Sequence, residues 1–93
     1  MAIRGFKDKD TEALARGCRV ARFTSIEHVA RRKLRQLEIA GWLSDLAVPP
    51  GNRLERLSGD RHGQYSVRVN DQYRVCFRWT KNGPADVEIV DYH

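Results

Sequence analysis

Apolar positions recur along the chain in two periods, and the change between them divides the sequence into halves. From Ile26 through Val29, Ala30, Leu34 and Leu37 to Ala40 the spacing is that of an amphipathic helix with one face in a core. Thr24 and Glu27 stand at the N-cap and N3 positions of a capping box, and Gly41 can end this helix. A shorter helix is expected before it, capped by Asp8 or Asp10, carried by Ala13, Leu14 and Ala15 to about Arg16, and stopped at Gly17. Ala2 to Phe6 reads as a short first strand. Trp42 to Ala47 reads as one more helical turn, after which Pro49-Pro50-Gly51-Asn52 breaks regular structure.

In the second half the period shortens to strict alternation. Leu54 to Leu57 is a brief strand candidate. Tyr65, Val67 and Val69 share one face of the next strand, and Asn70-Asp71-Gln72 makes a hairpin connection. Tyr73, Val75, Phe77 and Trp79 then face the core, Lys81-Asn82-Gly83-Pro84 turns, and Asp86 to Tyr92 is the last strand, with Val87 and Ile89 inward. Helices followed by strands imply an α+β fold: two N-terminal helices packed on one face of a twisted, mainly antiparallel sheet. With 93 residues, 41% of them hydrophobic, the expectation is one domain over 1–93 with a thin core. No run of about 18 apolar residues is present to span a membrane. The charged stretch from Met1 to Asp10 lacks the apolar segment of a secretory signal, so the cytoplasm is the expected location.

Alternation also decides what leaves the core. Ser66 and Arg68 do so on one strand, Arg74, Cys76 and Arg78 on the next, and Glu88, Val90 and Tyr92 on the last. If these strands are neighbours, Arg68, Arg74, Arg78 and Tyr92 share a face. The formal net charge of +5 favours polyanionic partners, and arginines beside an aromatic ring suit RNA, with guanidinium on phosphate and phenol on an unpaired base. The competing reading is a solvated sheet surface with scattered charge. Arg31, Arg32, Lys33 and Arg35 read as the solvated face of the second helix, His28 as a surface residue, and His62 as part of a polar turn. Cys18 and Cys76 are expected as buried or half-buried free thiols, since no Cys/His spacing suggests a metal. Asp91-Tyr92-His93 places an acid, a phenol and an imidazole directly after a core strand. Aspartate and histidine are residue types that can move protons between a ribose 2′-hydroxyl and a leaving oxygen.

Four segments together carry a resemblance: Leu57-Ser58-Gly59-Asp60-Arg61, Tyr65-Ser66-Val67-Arg68-Val69-Asn70, Tyr73-Arg74-Val75-Cys76-Phe77-Arg78-Trp79 and Val87-Glu88-Ile89-Val90-Asp91-Tyr92-His93. In that order they resemble the HigB branch of the RelE/ParE toxins, the plasmid maintenance killer proteins. Ile3-Arg4-Gly5-Phe6 and the two-helix pattern agree more loosely. The resemblance implies a microbial RNase fold and a toxin that enters the ribosomal A site and cuts mRNA during translation. It implies a HigA-type antitoxin with a helix-turn-helix domain, which neutralises the toxin and carries it to operator DNA. It implies no cofactor and no metal.

By the same resemblance, Arg74 corresponds to the arginine that holds the scissile phosphate, and Asp91, Tyr92 and His93 to a catalytic triplet. Arg68 corresponds to a basic position on the same face, with Arg78 beside it. Relatives often carry a Lys just before the Gly-Asp-Arg loop and a His a little upstream, where this sequence has Ser58 and Glu55. A loop cation would then come from Arg56 or Arg61. Two other readings are kept: a ParE-like inhibitor of DNA gyrase with the same fold, and a catalytically weak module that binds RNA or antitoxin.

Overall fold

The computed structural model describes residues 2–92. Helix α1 spans Lys9–Ala15 and helix α2 Glu27–Ile39. Strands β1 (Glu55–Arg56), β2 (Gln64–Arg68), β3 (Tyr73–Thr80) and β4 (Gly83–Asp91) form a four-stranded sheet in chain order, each antiparallel to the next. Short 3-10 turns at Ala21–Ile26, Leu43–Ala47, Pro50–Asn52 and Gly59–Arg61 fill the connections. This is the α+β arrangement expected from the switch of period. Among the described residues no helix is long and apolar enough to cross a membrane.

The core lies between the helices and one face of the sheet. Leu14, Phe23, Ile26, Ala30, Leu34 and Leu37 meet Val67, Val69, Val75, Phe77, Val87 and Ile89 in one buried cluster. Thr11 ties α1 to β4. Its buried hydroxyl donates to Asp8 Oδ1 (2.7 Å) and accepts the Ile89 amide (3.1 Å), while Asp8 Oδ2 accepts the Thr11 amide as the helix cap (2.9 Å). The segment before α1 does not become a strand. Phe6 makes a single parallel bridge to Val87, and Arg4 N donates to the Pro84 carbonyl. The chain must turn into its helix at Asp8, so the run along β4 ends there.

Three further expectations are corrected. Thr24 and Glu27 form no capping box: α2 starts at Glu27 after Ile26, and Thr24 Oγ1 donates to the Ala21 carbonyl inside a 3-10 turn. That turn places Phe23 and Ile26, three residues apart, on one side, and both are buried. The burial of two large side chains, each worth about 1.5–3 kcal/mol, outweighs a side-chain cap of about 1 kcal/mol. Cys18 is exposed rather than buried or half-buried; Cys76 is buried, and both thiols are free. The last strand starts at Gly83, not Asp86, because Lys81 and Asn82 alone make the turn.

The basic run of α2 divides in two. Arg31 is half-buried and donates to the carbonyls of Leu14 (3.1 Å) and Cys18 (2.7 Å), so it satisfies acceptors at the end of α1. Lys33 is buried and donates to Asn52 Oδ1 at 2.6 Å. Its pKa is lowered by burial and by the nearby Arg32 and Arg68. Asn52, itself fully buried, donates from Nδ2 to Gln36 Oε1 (2.8 Å) and the Leu46 carbonyl (3.0 Å). Asn52 thus pins the irregular segment before β1 onto α2. Asn52→Ala leaves a buried ammonium and a buried carbonyl without their partners. It is expected to cost about 2–4 kcal/mol, read as a lower urea midpoint at unchanged slope. A wild-type midpoint would show that the loop is held by other contacts.

Candidate nucleic-acid interface

The sheet face turned away from the helices is laid out by strand register. Glu55 lies opposite Ser66, Ser66 opposite Cys76, and Cys76 opposite Glu88, so one row crosses all four strands. In the adjoining row Arg68 lies opposite Arg74 and Arg74 opposite Val90. Ser66 and Cys76 are fully buried beneath larger neighbours. Arg74 is the most enclosed of the candidate arginines on this face, with 12% of its side chain exposed. Its Nε donates to Ser66 Oγ at 2.7 Å, its Nη2 donates to the Arg53 carbonyl, and the same nitrogen stands 3.5 Å from Glu55 Oε1. These contacts fix the guanidinium in the middle of the face, where a serine alternating with core valines could put it.

Around Arg74 the other groups form pairs. Arg61 donates to Glu88 Oε1 at 3.0 Å and to Gln64 Oε1 at 3.2 Å, which brings the Gly59–Arg61 turn over the sheet. Burial works against the Arg61 charge, but the Glu88 hydrogen bond, with the charges of Cys76, Glu88 and Tyr92, outweighs it and the net shift is upward. Arg68 is paired with Asp71 of the hairpin. The Cys76 thiol is pushed up by burial, partly opposed by Arg61, by a hydrogen bond with the Tyr92 phenol and by Arg74. Tyr92 is raised by burial and by Cys76 beside it. Tyr92 therefore lies back over the sheet toward Cys76, with its amide donated to the Gln72 carbonyl. Asp91, at the end of β4, accepts from Gln72 Nε2 at 3.1 Å.

Arg68, Arg74, Arg61 and Tyr92 are thus brought together, and three candidates are not. Asp91 pairs with Tyr73, which puts it at the strand end on the helix side of the sheet. Arg78 lies four positions from Arg74 along β3, about 13 Å away, and it donates to Asp86 Oδ2 at 2.7 Å. Asp86 and Val87 together oppose Phe77, a bulge in which Asp86 takes a left-handed φ of 52°. Arg56 pairs with Tyr65 and lies over that ring at 5.8 Å, on the helix side of the sheet. His93 lies outside the described residues. Among those described, no group of three or more His, Cys, Asp or Glu residues is placed to hold a metal ion.

The chain matches, over residues 4–93, the family model described as the RelE-like toxin of the type II toxin-antitoxin system HigB. It belongs to the HigB-like toxin family. It is 46% identical over 90 residues to Toxin HigB-1 of Vibrio cholerae, covering 95% of this chain and 94% of that one. A second relative, an uncharacterized protein of Haemophilus influenzae, is 36% identical over 59 residues, covering 63% of this chain and 58% of its own length. As a type II toxin the HigB-like protein has a cognate antitoxin as partner.

Sequence reasoning missed Ser66, Glu88 and the Arg53 carbonyl as positioning groups of this face. The first two were legible as outward members of their strands. The third was not, since its role comes from backbone in an irregular segment with φ of 44°. The two thiols should report the burial of the face. Iodoacetamide at about pH 8 is expected to modify Cys18 alone in the folded HigB-like protein, with Cys76 modified only in denaturant. Equal rates by mass spectrometry would mean that the Cys76 side of the sheet opens freely.

Proposed function

We propose that this HigB-like toxin is a ribosome-dependent endoribonuclease that enters the A site and cuts mRNA by metal-independent attack of a ribose 2′-hydroxyl. Residues 1–93 act as one domain, at ribosomes in the cytoplasm. The observation that carries the reading is Arg74: a nearly enclosed guanidinium, pinned by Ser66 Oγ, beside Arg68 and close to the strand end that bears Asp91 and Tyr92. A fixed cation needs little reorganisation as charge develops on a phosphoryl group, which is where electrostatic catalysis gains most.

In this reading Asp91 or His93 takes the 2′-hydroxyl proton, and the oxygen attacks the adjacent phosphorus in line. Arg74 stabilises the added negative charge, and Arg68 and Arg61 hold flanking phosphates. Tyr92 orients or stacks on a base; its raised pKa keeps the phenol neutral at physiological pH. The other member of the Asp91/His93 pair, or water, protonates the leaving 5′-oxygen, and a 2′,3′-cyclic phosphate remains. Arg78 and Arg56, set apart from this centre, contact RNA further along its backbone. The partner that neutralises the toxin is a HigA-type antitoxin with a helix-turn-helix domain, through which operator DNA is reached.

Primer extension on mRNA engaged by translating ribosomes tests this. Codon-phased cuts are expected from the wild type, with Arg74→Ala slower by about 100-fold or more and His93→Ala also reduced, both variants retaining the wild-type circular dichroism spectrum. Cuts at the wild-type rate from both would remove the site.

One observation favours a second reading, a weak enzyme that chiefly binds. Glu55 sets a carboxylate against the Arg74 guanidinium, where an incoming phosphate must compete with it. Glu55→Gln is then expected to strengthen RNA binding by about two- to fivefold at low salt, the scale of an exposed ion pair, with the gain fading as salt rises. If Glu55→Gln binds and cleaves as the wild type does, Glu55 does not compete for Arg74. Salt-sensitive binding by wild type without any cuts would favour the binding reading.

A further inference from the structure

On the far side of the core, helix α2 presents a surface whose groups lack partners. His28, Arg32, Arg35 and Ile39 follow at spacings of four, three and four residues, which keeps them on one side of a helix, and all are exposed. Most of the other arginines on the helical half are paired: Arg16 with Glu12, Arg19 and Arg31 with Glu27, Arg22 with Asp8 and Asp10. Arg32 and Arg35 have no acidic partner among the described residues. The ridge continues into apolar surface. Ile39 is 68% exposed, Trp42 74% and Val48 69%, which makes three of the four large hydrophobic side chains left exposed in the described residues.

This end is built rather than loose. Asp45 Oδ2 accepts the amides of Gly41 (2.9 Å) and Trp42 (3.0 Å), so the backbone that presents Trp42 is fixed. Beside it lies a cleft of about 300 Å³ lined by Gln36, Ile39, Ala40, Asp45, Leu46 and Val48. Apolar groups gathered in one place on a chain this small mark a contact surface.

We infer that this ridge is the docking surface for the cognate antitoxin, and that it receives an amphipathic segment with acidic side chains against Arg32 and Arg35 and apolar ones against Ile39, Trp42 and Val48. The choice of occupant rests on charge and on family. Unpaired arginines at one end select an acidic ligand, and a bare apolar end selects a protein over a phosphate backbone. A second copy of this chain fits poorly, because a two-fold contact would bring the same arginines together on molecules of net charge +5. A type II toxin has one partner protein by definition of its family. Arg32 to Ile39 spans about 10 Å of helix axis, so a partner helix of three or four turns covers the ridge. This inference rests on the toxin family and not on the RNase reading.

The test is calorimetric titration of the purified toxin with its cognate antitoxin. Arg32→Glu with Arg35→Glu, and separately Trp42→Ser, are each expected to weaken binding by at least about tenfold. The double charge reversal should also flatten the salt dependence of Kd, and Arg74→Ala should bind as the wild type does. Ile39→Ser serves if Trp42→Ser disturbs the circular dichroism spectrum. Wild-type affinity in the ridge variants would overturn the inference. So would a loss confined to Arg68 or Arg74 variants, which would place the antitoxin on the sheet face. Ridge variants that bind antitoxin normally but cut ribosome-bound mRNA more slowly would likewise overturn it, and assign the ridge to ribosomal RNA.

Discussion

Much of the molecule depends on how the segment between α2 and β1 is held, and Asn52 holds it. That segment has no long strand or helix of its own and must be anchored by side chains. Asn52 uses both ends of its amide inside the protein, accepting from Lys33 and donating to Gln36 and the Leu46 carbonyl. A buried network of this kind stabilises only when every member is satisfied. Its effect reaches the sheet: the next residue, Arg53, offers the carbonyl that Arg74 uses, and Glu55 follows two positions on. The guanidinium proposed to meet RNA is therefore set from two sides, by the strand register through Ser66 and by the Asn52 anchor through Arg53.

The electrostatics of the face differ from those of a bare basic patch. Arg74 has Glu55, Arg61 has Glu88, Arg68 has Asp71 and Arg78 has Asp86. Exposed pairs are worth about 0–1 kcal/mol, so a polyanion can displace the carboxylates at small cost and gain arginines already ordered. The carboxylates also limit indiscriminate attraction, since the net charge of +5 is spread over a surface on which most cations are answered locally. Arg74 stands apart because Ser66 and the Arg53 carbonyl keep it in place after Glu55 is displaced.

What could be read in the sequence follows from what local pattern encodes. The alternation of Tyr65 to Val69 and Tyr73 to Trp79 fixed both the hairpin and the face shared by Arg68 and Arg74, because a strand sends neighbours to opposite sides whatever lies around it. The family resemblance was carried by the same strands. Lys33 and Arg31 were misread as solvated because their partners, Asn52 and the Leu14 carbonyl, are remote in sequence. The capping box at Thr24 failed for a related reason: burial of Phe23 and Ile26 is a tertiary effect that outweighs a local signal. Arg56 and Arg61 could not be told apart from spacing. One residue of shift in so short a strand as β1 decides which side of the sheet an arginine takes, and only the pairing of Arg56 with Tyr65 settles it.

The two surfaces stand in a geometric relation that bears on control. The outer side of α2 and the arginine face are separated by the whole core, since Ala30, Leu34 and Leu37 on the inner side of α2 pack with Val67, Val75 and Phe77. A protein on the ridge would leave Arg74 uncovered. It would still enlarge a body only 31 × 27 × 26 Å across. If the toxin acts inside a confined ribosomal site, as proposed, added bulk on any side blocks entry. Under these proposals neutralisation requires no mimicry of RNA and no contact with Arg74. On that reading the arginine face is free to be shaped by a substrate, and the ridge by the antitoxin.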